Sequence, residues 1–142
     1  METFKHPAGN PKPIAPIVGV GKGTYTEIVD IIAPSSAVAG SQVNVEVKIK
    51  NLYSVTIHIY CVALPDSAFR FIDWQDAWVG PGQTQSFYGA FIMGGGDVTI
   101  NAYSYFEGDD GYLYLDDSKS KVVKVAALTP EFSGFAISDY SK

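Results

Sequence analysis

From Val43 to Lys50 the chain alternates without interruption. Val43, Val45, Val47 and Ile49 take one parity, and Asn44, Glu46, Lys48 and Lys50 take the other. A period of two over this length marks a β-strand with one face in a core and the other in water. Two further runs repeat the pattern. Val55, Ile57, Ile59, Cys61 and Ala63 stand opposite Thr56, His58, Tyr60 and Val62. Val98, Ile100, Ala102 and Phe106 stand opposite Thr99, Asn101, Tyr103 and Tyr105, with Ser104 alone breaking the apolar set. Less regular strand signals cover Thr24 to Ile32, a short aromatic stretch from Ala68 to Trp74, Gln83 to Met93, Tyr112 to Leu115 and Ser118 to Ala126.

Turn chemistry separates these runs. Pro81 supplies the fixed φ of a turn's second position and Gly82 the φ > 0 of its third. Pro34-Ser35-Ser36, Gly40-Ser41, Pro65-Asp66, the triplet Gly94, Gly95 and Gly96, and Gly108-Asp109-Asp110-Gly111 punctuate the rest. No stretch of helical period and length competes. About seven to nine strands, with turns roughly every 8–12 residues, predict an all-β, immunoglobulin-like antiparallel sandwich. The run from Val79 to Phe106, which holds two strand signals around the glycine triplet, is expected at its centre.

The sandwich is expected over residues 24–127. Before it, residues 1–23 carry Pro7, Pro11, Pro13 and Pro16 with Gly9, Gly19, Gly21 and Gly23, the composition of an extended arm that orders only on a surface. Within the arm, the run GVGKGT is no phosphate loop, because Pro16 stands where the Walker pattern needs its first glycine. Residues 128–142 contain a strand-like run from Phe135 to Tyr140, which either opens a further module or adds a strand to a neighbour's edge. Both ends, with Phe4, Ile14, Ile17, Phe132, Phe135 and Ile137, are expected to dock on a neighbouring subunit.

At 142 residues the chain is one domain in size, and folding at that size buries roughly 68–70% of the unfolded surface. Hydrophobic content of 46% against 18% charge is incompatible with wholesale disorder. A net charge of −5 argues against nucleic acid, whose affinity comes from Lys and Arg displacing counterions. Cys61 is alone, so no intrachain disulfide is available. The start of the chain lacks the apolar run of a signal peptide, and nowhere do 18 apolar residues occur together, so membrane insertion is not expected.

Catalytic chemistry is sparse. A Ser-His-Asp arrangement would have to use His58, because His6 lies in the arm. Alternation points His58 outward, with no carboxylate near it in sequence, so it is expected on the surface and replaceable at almost no cost. Cys61 alternates inward and is expected to be a buried, unreactive thiol. Ile57 and Val47 are expected to face one another's sheets. Glu107, Asp109, Asp110, Asp116 and Asp117 are the candidates for a metal, with calcium the ion their oxygens would suit. The alternative is that Asp109 and Asp110 serve the turn while Lys119 and Lys121 balance Asp116 and Asp117. No metal or other cofactor is favoured.

Trp74 and Trp78 are expected between strands, plugging an end of the sandwich, or else stacking on a sugar beside Asp73, Gln75 and Asp76. Tyr60, Tyr103 and Tyr105 fall on the outward parity, joined from the hairpin by Tyr112 or Tyr114. Such a tyrosine row is a contact surface, or the seat of the chain's own arm or tail.

The phrases VNVEVKIKN, PGQTQSF and DVTINAYSYFEGDDGYLYLDD, followed by KVVKV, resemble bacterial and archaeal immunoglobulin-like modules of the cell-adhesion-related, CARDB-like type, over roughly residues 25–127. The resemblance implies a non-catalytic spacer or binder of surface proteins or phage virions. The chain departs from it by lacking an export signal and by continuing past the last strand. The expected role is a structural or interaction module that assembles with copies of itself or within a larger particle, in a virion or at a cell surface. The alternative is a carbohydrate-binding or adhesion domain of an extracellular protein.

Overall fold

A computed structural model describes residues 23–66 and 69–127. Eight strands follow one another: β1 (Thr26–Ile32), β2 (Ser36–Val38), β3 (Gln42–Asn51), β4 (Ile57–Pro65), β5 (Ile72–Val79), β6 (Thr84–Ile92), β7 (Val98–Glu107) and β8 (Leu113–Ala126). They form a three-stranded sheet in the order β1-β3-β6 and a five-stranded sheet in the order β2-β8-β7-β4-β5. The fold is therefore the all-β immunoglobulin-like sandwich expected from the alternation. Among the described residues no helix is long and apolar enough to cross a membrane.

The regular runs fold as read, except that Val55 lies in the bend before β4 and outside the core cluster. Val43, Val45, Val47 and Ile49 of β3 and Ile57, Ile59, Cys61 and Ala63 of β4 are buried in one core cluster with Ile100, Ala102 and Phe106 of β7. Val47 and Ile57 thus face the shared core from opposite sheets. Gly82 adopts φ 74°, as the Pro-Gly turn requires. The glycine triplet does more than turn a hairpin: it carries the chain from β6 in one sheet to β7 in the other.

Three local expectations are corrected. The aromatic strand lies at Ile72–Val79, later than the expected Ala68 to Trp74. Within it, a register shift against β4 between Cys61 and Ala63 inserts an extra residue at Asp73–Trp74. The two C-terminal runs are one strand of 14 residues, β8, whose pairing with β7 jumps from Ser104–Asp117 to Tyr105–Leu115 and leaves Asp116 as an extra residue. Such a bulge turns adjacent side chains to one side and hides a continuous strand from any period-two count. Finally, Ser36–Val38, read as a turn, pairs in parallel with Lys124–Ala126.

The bulge explains why acidic residues interrupt β8. Asp116 is buried, and its carboxylate accepts hydrogen bonds from the backbone N–H groups of Thr24 at 3.2 Å, Tyr25 at 3.2 Å and Thr26 at 2.6 Å, and from the Thr26 hydroxyl at 2.6 Å. Since that hydroxyl donates to Asp116, Ser104 donates to it in turn, at 2.7 Å between oxygens. Ser104 breaks the apolar set because it ends this buried chain. Asp117, also buried, accepts from the Ile28 N–H at 2.7 Å. The donors that β1 turns away from β3 are thus satisfied by β8 side chains. On the other flank, Gln75 of β5 spans to β6, donating to the Tyr88 carbonyl at 2.6 Å. Asn51, fully buried, donates to the carbonyls of Val55 at 2.9 Å and Val79 at 2.8 Å, fixing the β3–β4 turn.

Asp116→Ala takes the acceptor from the buried N–H and hydroxyl of Thr26 and from the part-buried N–H groups of Thr24 and Tyr25, and a buried donor left without a partner costs about 1–3 kcal/mol. A loss of about 3–5 kcal/mol in urea unfolding is expected, against almost none for the exposed Asp109→Ala. Asp117 gives a pH signature. Burial above all, then Asp116 and Glu27, raise its carboxyl above the ordinary 3.8, while the Ile28 and Ser118 N–H groups pull it down. A raised native value means that protonation favours the folded state. Its contribution is fully present below the ordinary value and is lost as pH rises through the raised one. The parent should therefore gain stability relative to Asp117→Asn as pH falls through that window, measured by unfolding at stepped pH.

Candidate functional site

The side of the five-stranded sheet away from the core carries three rows of residues. Register places Asp76, Tyr60 and Tyr105 side by side across β5, β4 and β7. Trp78 lies beside His58, whose ring reaches Glu107. Val62 stands opposite Tyr103, and Trp74 leans over this layer, 4.8 Å from Tyr105 between ring centroids and 6.4 Å from Tyr60.

Trp74 reaches that position through an unusual backbone. It is the one non-glycine residue with positive φ among the described residues, at 51°. It sits inside the register shift of β5, where a left-handed conformation ordinarily calls for glycine. For a bulky side chain the conformation costs about 1–2 kcal/mol, and bulges of this kind re-aim a side chain. Here the indole is swung outward against Tyr105. Its Nε1–H is closed off from water and has no acceptor among the described residues.

Beneath Trp78 lies a chain of ionisable groups. His58 Nδ1 is 2.8 Å from Glu107 Oε1, and Nε2 is 2.7 Å from Asp76 Oδ2. Ionised carboxylates only accept, so with both ionised the ring donates through both nitrogens, as the imidazolium does. Trp78 stacks on that ring at 4.3 Å and 14°, and Tyr60 flanks it at 4.5 Å. A cation beneath an indole face is favourable in its own right. Burial, and then the nearby Asp76 charge, push the Tyr60 phenol up to about 12.

His58 therefore corrects its expectation. Its outward parity is right, but it is only 5% exposed and has two carboxylates in contact. Those partners lie 49 and 18 residues away in sequence and are brought in by strand register. The tyrosine row keeps its outward parity at graded depth: Tyr60 is 4% exposed, Tyr103 and Tyr105 are half-buried, and Tyr112 at the hairpin is 37% exposed. Tyr114 does not join the row. It pairs with Phe106, packs at 5.7 Å from that ring on the core side, and donates its hydroxyl to Asp110, which raises the phenol above its ordinary value and disfavours its ionisation. Trp74 and Trp78 plug no end of the sandwich; both belong to the outward layer of the edge strand β5, with Trp78 51% exposed.

The five acidic candidates are dispersed. Glu107 faces His58, Asp110 holds Tyr114 and accepts from the Tyr112 N–H, Asp109 is exposed, and Asp116 and Asp117 bind β1 rather than Lys119 and Lys121. Among the described residues no three His, Cys, Asp or Glu side chains gather as a metal-binding group. Cys61 is buried as expected, and burial pushes its thiol up to about 12. Phe132 and Phe135 lie outside the described residues, as do the arm and tail that were expected to dock. What sequence reading missed is the His58, Glu107 and Asp76 chain, and its only signal was a histidine on the outward parity between aromatic neighbours.

Comparison with solved structures confirms the fold. The CARDB domain of a Pyrococcus furiosus protein, solved in complex with di-metal ions, superposes with a TM-score of 0.53 at 12% identity, over 74% of this chain and 92% of that one. A complex of zinc 2-glycoprotein and prolactin inducible protein from human seminal plasma matches with a TM-score of 0.49 at 12% identity, over 70% and 97%. A Niemann-Pick type C2 protein from Japanese carpenter ant matches at 0.44 and 12%, over 76% and 99%. No family model matches the chain, and no curated protein matches it in sequence.

His58→Ala removes the imidazole from a fully buried Glu107, and breaking a buried pair in this way costs about 3–5 kcal/mol. Chemical denaturation should show that loss. A double-mutant cycle with Glu107→Ala should return a coupling above about 1 kcal/mol, whereas independent side chains would give additive losses.

Proposed function

We propose that this protein is a non-catalytic immunoglobulin-like interaction module whose contact surface is the outward aromatic layer of the five-stranded sheet, and that it assembles with copies of itself. The observation that carries the reading is Trp74. A fold that holds a tryptophan in a glycine-type conformation to aim its ring away from the core is maintaining an outward-facing surface. Trp78, half-exposed beside Asp76, extends that surface, and aromatic rings of this kind are the anchors on which interfaces depend. A repeating assembly, in a virion or at a cell surface, is the setting this reading implies.

Binding rather than catalysis is the role these side chains support. His58 directs its ring nitrogens at carboxylates rather than at a nucleophile, and the Cys61 thiol has almost no thiolate near neutral pH. We carry no metal over from the Pyrococcus furiosus domain, because Asp116 and Asp117 already direct their oxygens at the N–H groups of β1. A second reading, glycan binding, is favoured by one feature: the exposed Trp78 indole has the exposed carboxylate of Asp76 close by, the pairing that a sugar's apolar face and hydroxyls require.

Light scattering during size exclusion tests the main reading: an oligomer is expected, and Trp78→Ala should shift it toward monomer. A chain that is monomeric at high concentration, with specific hits on a glycan array, would replace this reading with the second. Thermal melts in excess chelator and in millimolar calcium should superimpose; a calcium-dependent rise would restore a cation site.

A further inference from the structure

The outward layer is drier than a free sheet surface. Tyr60, Val62 and Leu113 are all buried, yet each stands on the outward parity and none belongs to the core cluster. Leu113 stands opposite Glu107, and both are fully buried. Trp74 adds an indole N–H with no acceptor among the described residues. A surface of this kind suits an apolar occupant with few donors and many free carbonyls. Polyproline II chain has that chemistry: no internal hydrogen bonds, a solvated backbone, and rings that dock in aromatic grooves.

The chain contains such a segment. Residues 7–16, PAGNPKPIAP, hold four prolines in ten positions. The arm around them carries Lys5, Lys12 and Lys22 against Glu2 alone, whereas the half-exposed carboxylate of Asp76 borders the aromatic layer. Reach is sufficient. The described chain begins at Gly23, whose backbone lies against Asp116 of β8. Seven residues of polyproline II span about 22 Å, and three strand spacings from β8 to β5 make about 14 Å.

We infer that the outward aromatic layer is the seat of the chain's own proline-rich segment, residues 7–16, laid across Trp78, Tyr60 and Tyr105 with a backbone carbonyl accepting from Trp74 Nε1. The inference rests on the reading of this layer as the contact surface and specifies what it holds. The segment covers the layer either within one chain or by exchange between two copies, and exchange is the form that builds an assembly.

The test uses the full chain. Its only two tryptophans are Trp74 and Trp78, so an isotopically labelled sample shows two indole N–H signals, both from the proposed seat. The buried Cys61 thiol leaves Ala8→Cys as the position that a nitroxide reagent modifies. Both indole signals should broaden with the active label relative to its reduced form, while amides of β3 on the far sheet stay sharp. Pro11→Ser combined with Pro13→Ser should weaken the broadening. Mixing isotopically labelled chain without nitroxide and unlabelled chain with it reports exchange between copies. Broadening in the mixture supports both the seat and self-assembly. Broadening only within a single chain supports the seat and removes the arm from assembly. Sharp indole signals overturn the inference, and if light scattering still shows an oligomer, the reading of the layer as a contact surface survives without it.

Discussion

Two carboxylates hold the flank where β1 meets β8. Strand β1 is an edge strand of the smaller sheet, and the backbone donors at Thr26 and Ile28 are turned away from β3. Buried donors of this kind need acceptors, and the bulge at Asp116 delivers two adjacent aspartates to that flank. The arrangement has an electrostatic cost, visible in the raised Asp117 carboxyl. It persists because each oxygen meets oriented N–H groups rather than apolar carbon. Ser104 and Thr26 extend the same chain into the centre of the larger sheet. On the opposite flank the neutral amide of Gln75 bridges β5 to β6 through the Tyr88 carbonyl, near the surface.

The outward layer depends on a second bulge. Between Cys61 and Ala63 the pairing of β4 and β5 slips, and Trp74 is the residue that absorbs the slip. The His58 ring then lies between Glu107 and Asp76 with Trp78 above it. Low dielectric strengthens each of these contacts and makes each loss costlier. Charge, ring stacking and strand register therefore fix the outward layer as tightly as dispersion fixes the core. Rings held this way keep one geometry, and a surface with its rings fixed loses less entropy on meeting a partner.

Much of this was legible in the chain. The parity of residues 43–50, 57–63 and 98–107 gave facing correctly for every core residue named, because an uninterrupted period of two maps directly onto a two-sided strand. The same rule put Tyr60 and His58 on the outward side but not at their depth, since exposure depends on what lies above a residue and parity is blind to that. Trp74 and Asp116 were misread for a shared reason. Each occupies a bulge, and a single extra residue inverts every later parity until pairing resumes. The partnership of His58 with Glu107 and Asp76 was out of reach, because it exists only once β5, β4 and β7 are in register.

The short strand β2 has a mechanical meaning. Ser36–Val38 runs parallel to Lys124–Ala126, so an early segment and the last segment of the sandwich point the same way along one edge. Tension applied between the two ends of the domain pulls these strands past each other along their length. Their hydrogen bonds are then loaded together in shear, where an antiparallel hairpin pulled from its open end would release them one at a time. Asp116 and Asp117 bind β1 to β8 near the opposite end of the same long strand. A domain strung between neighbours in an array would transmit force through this clamp before its core felt any of it.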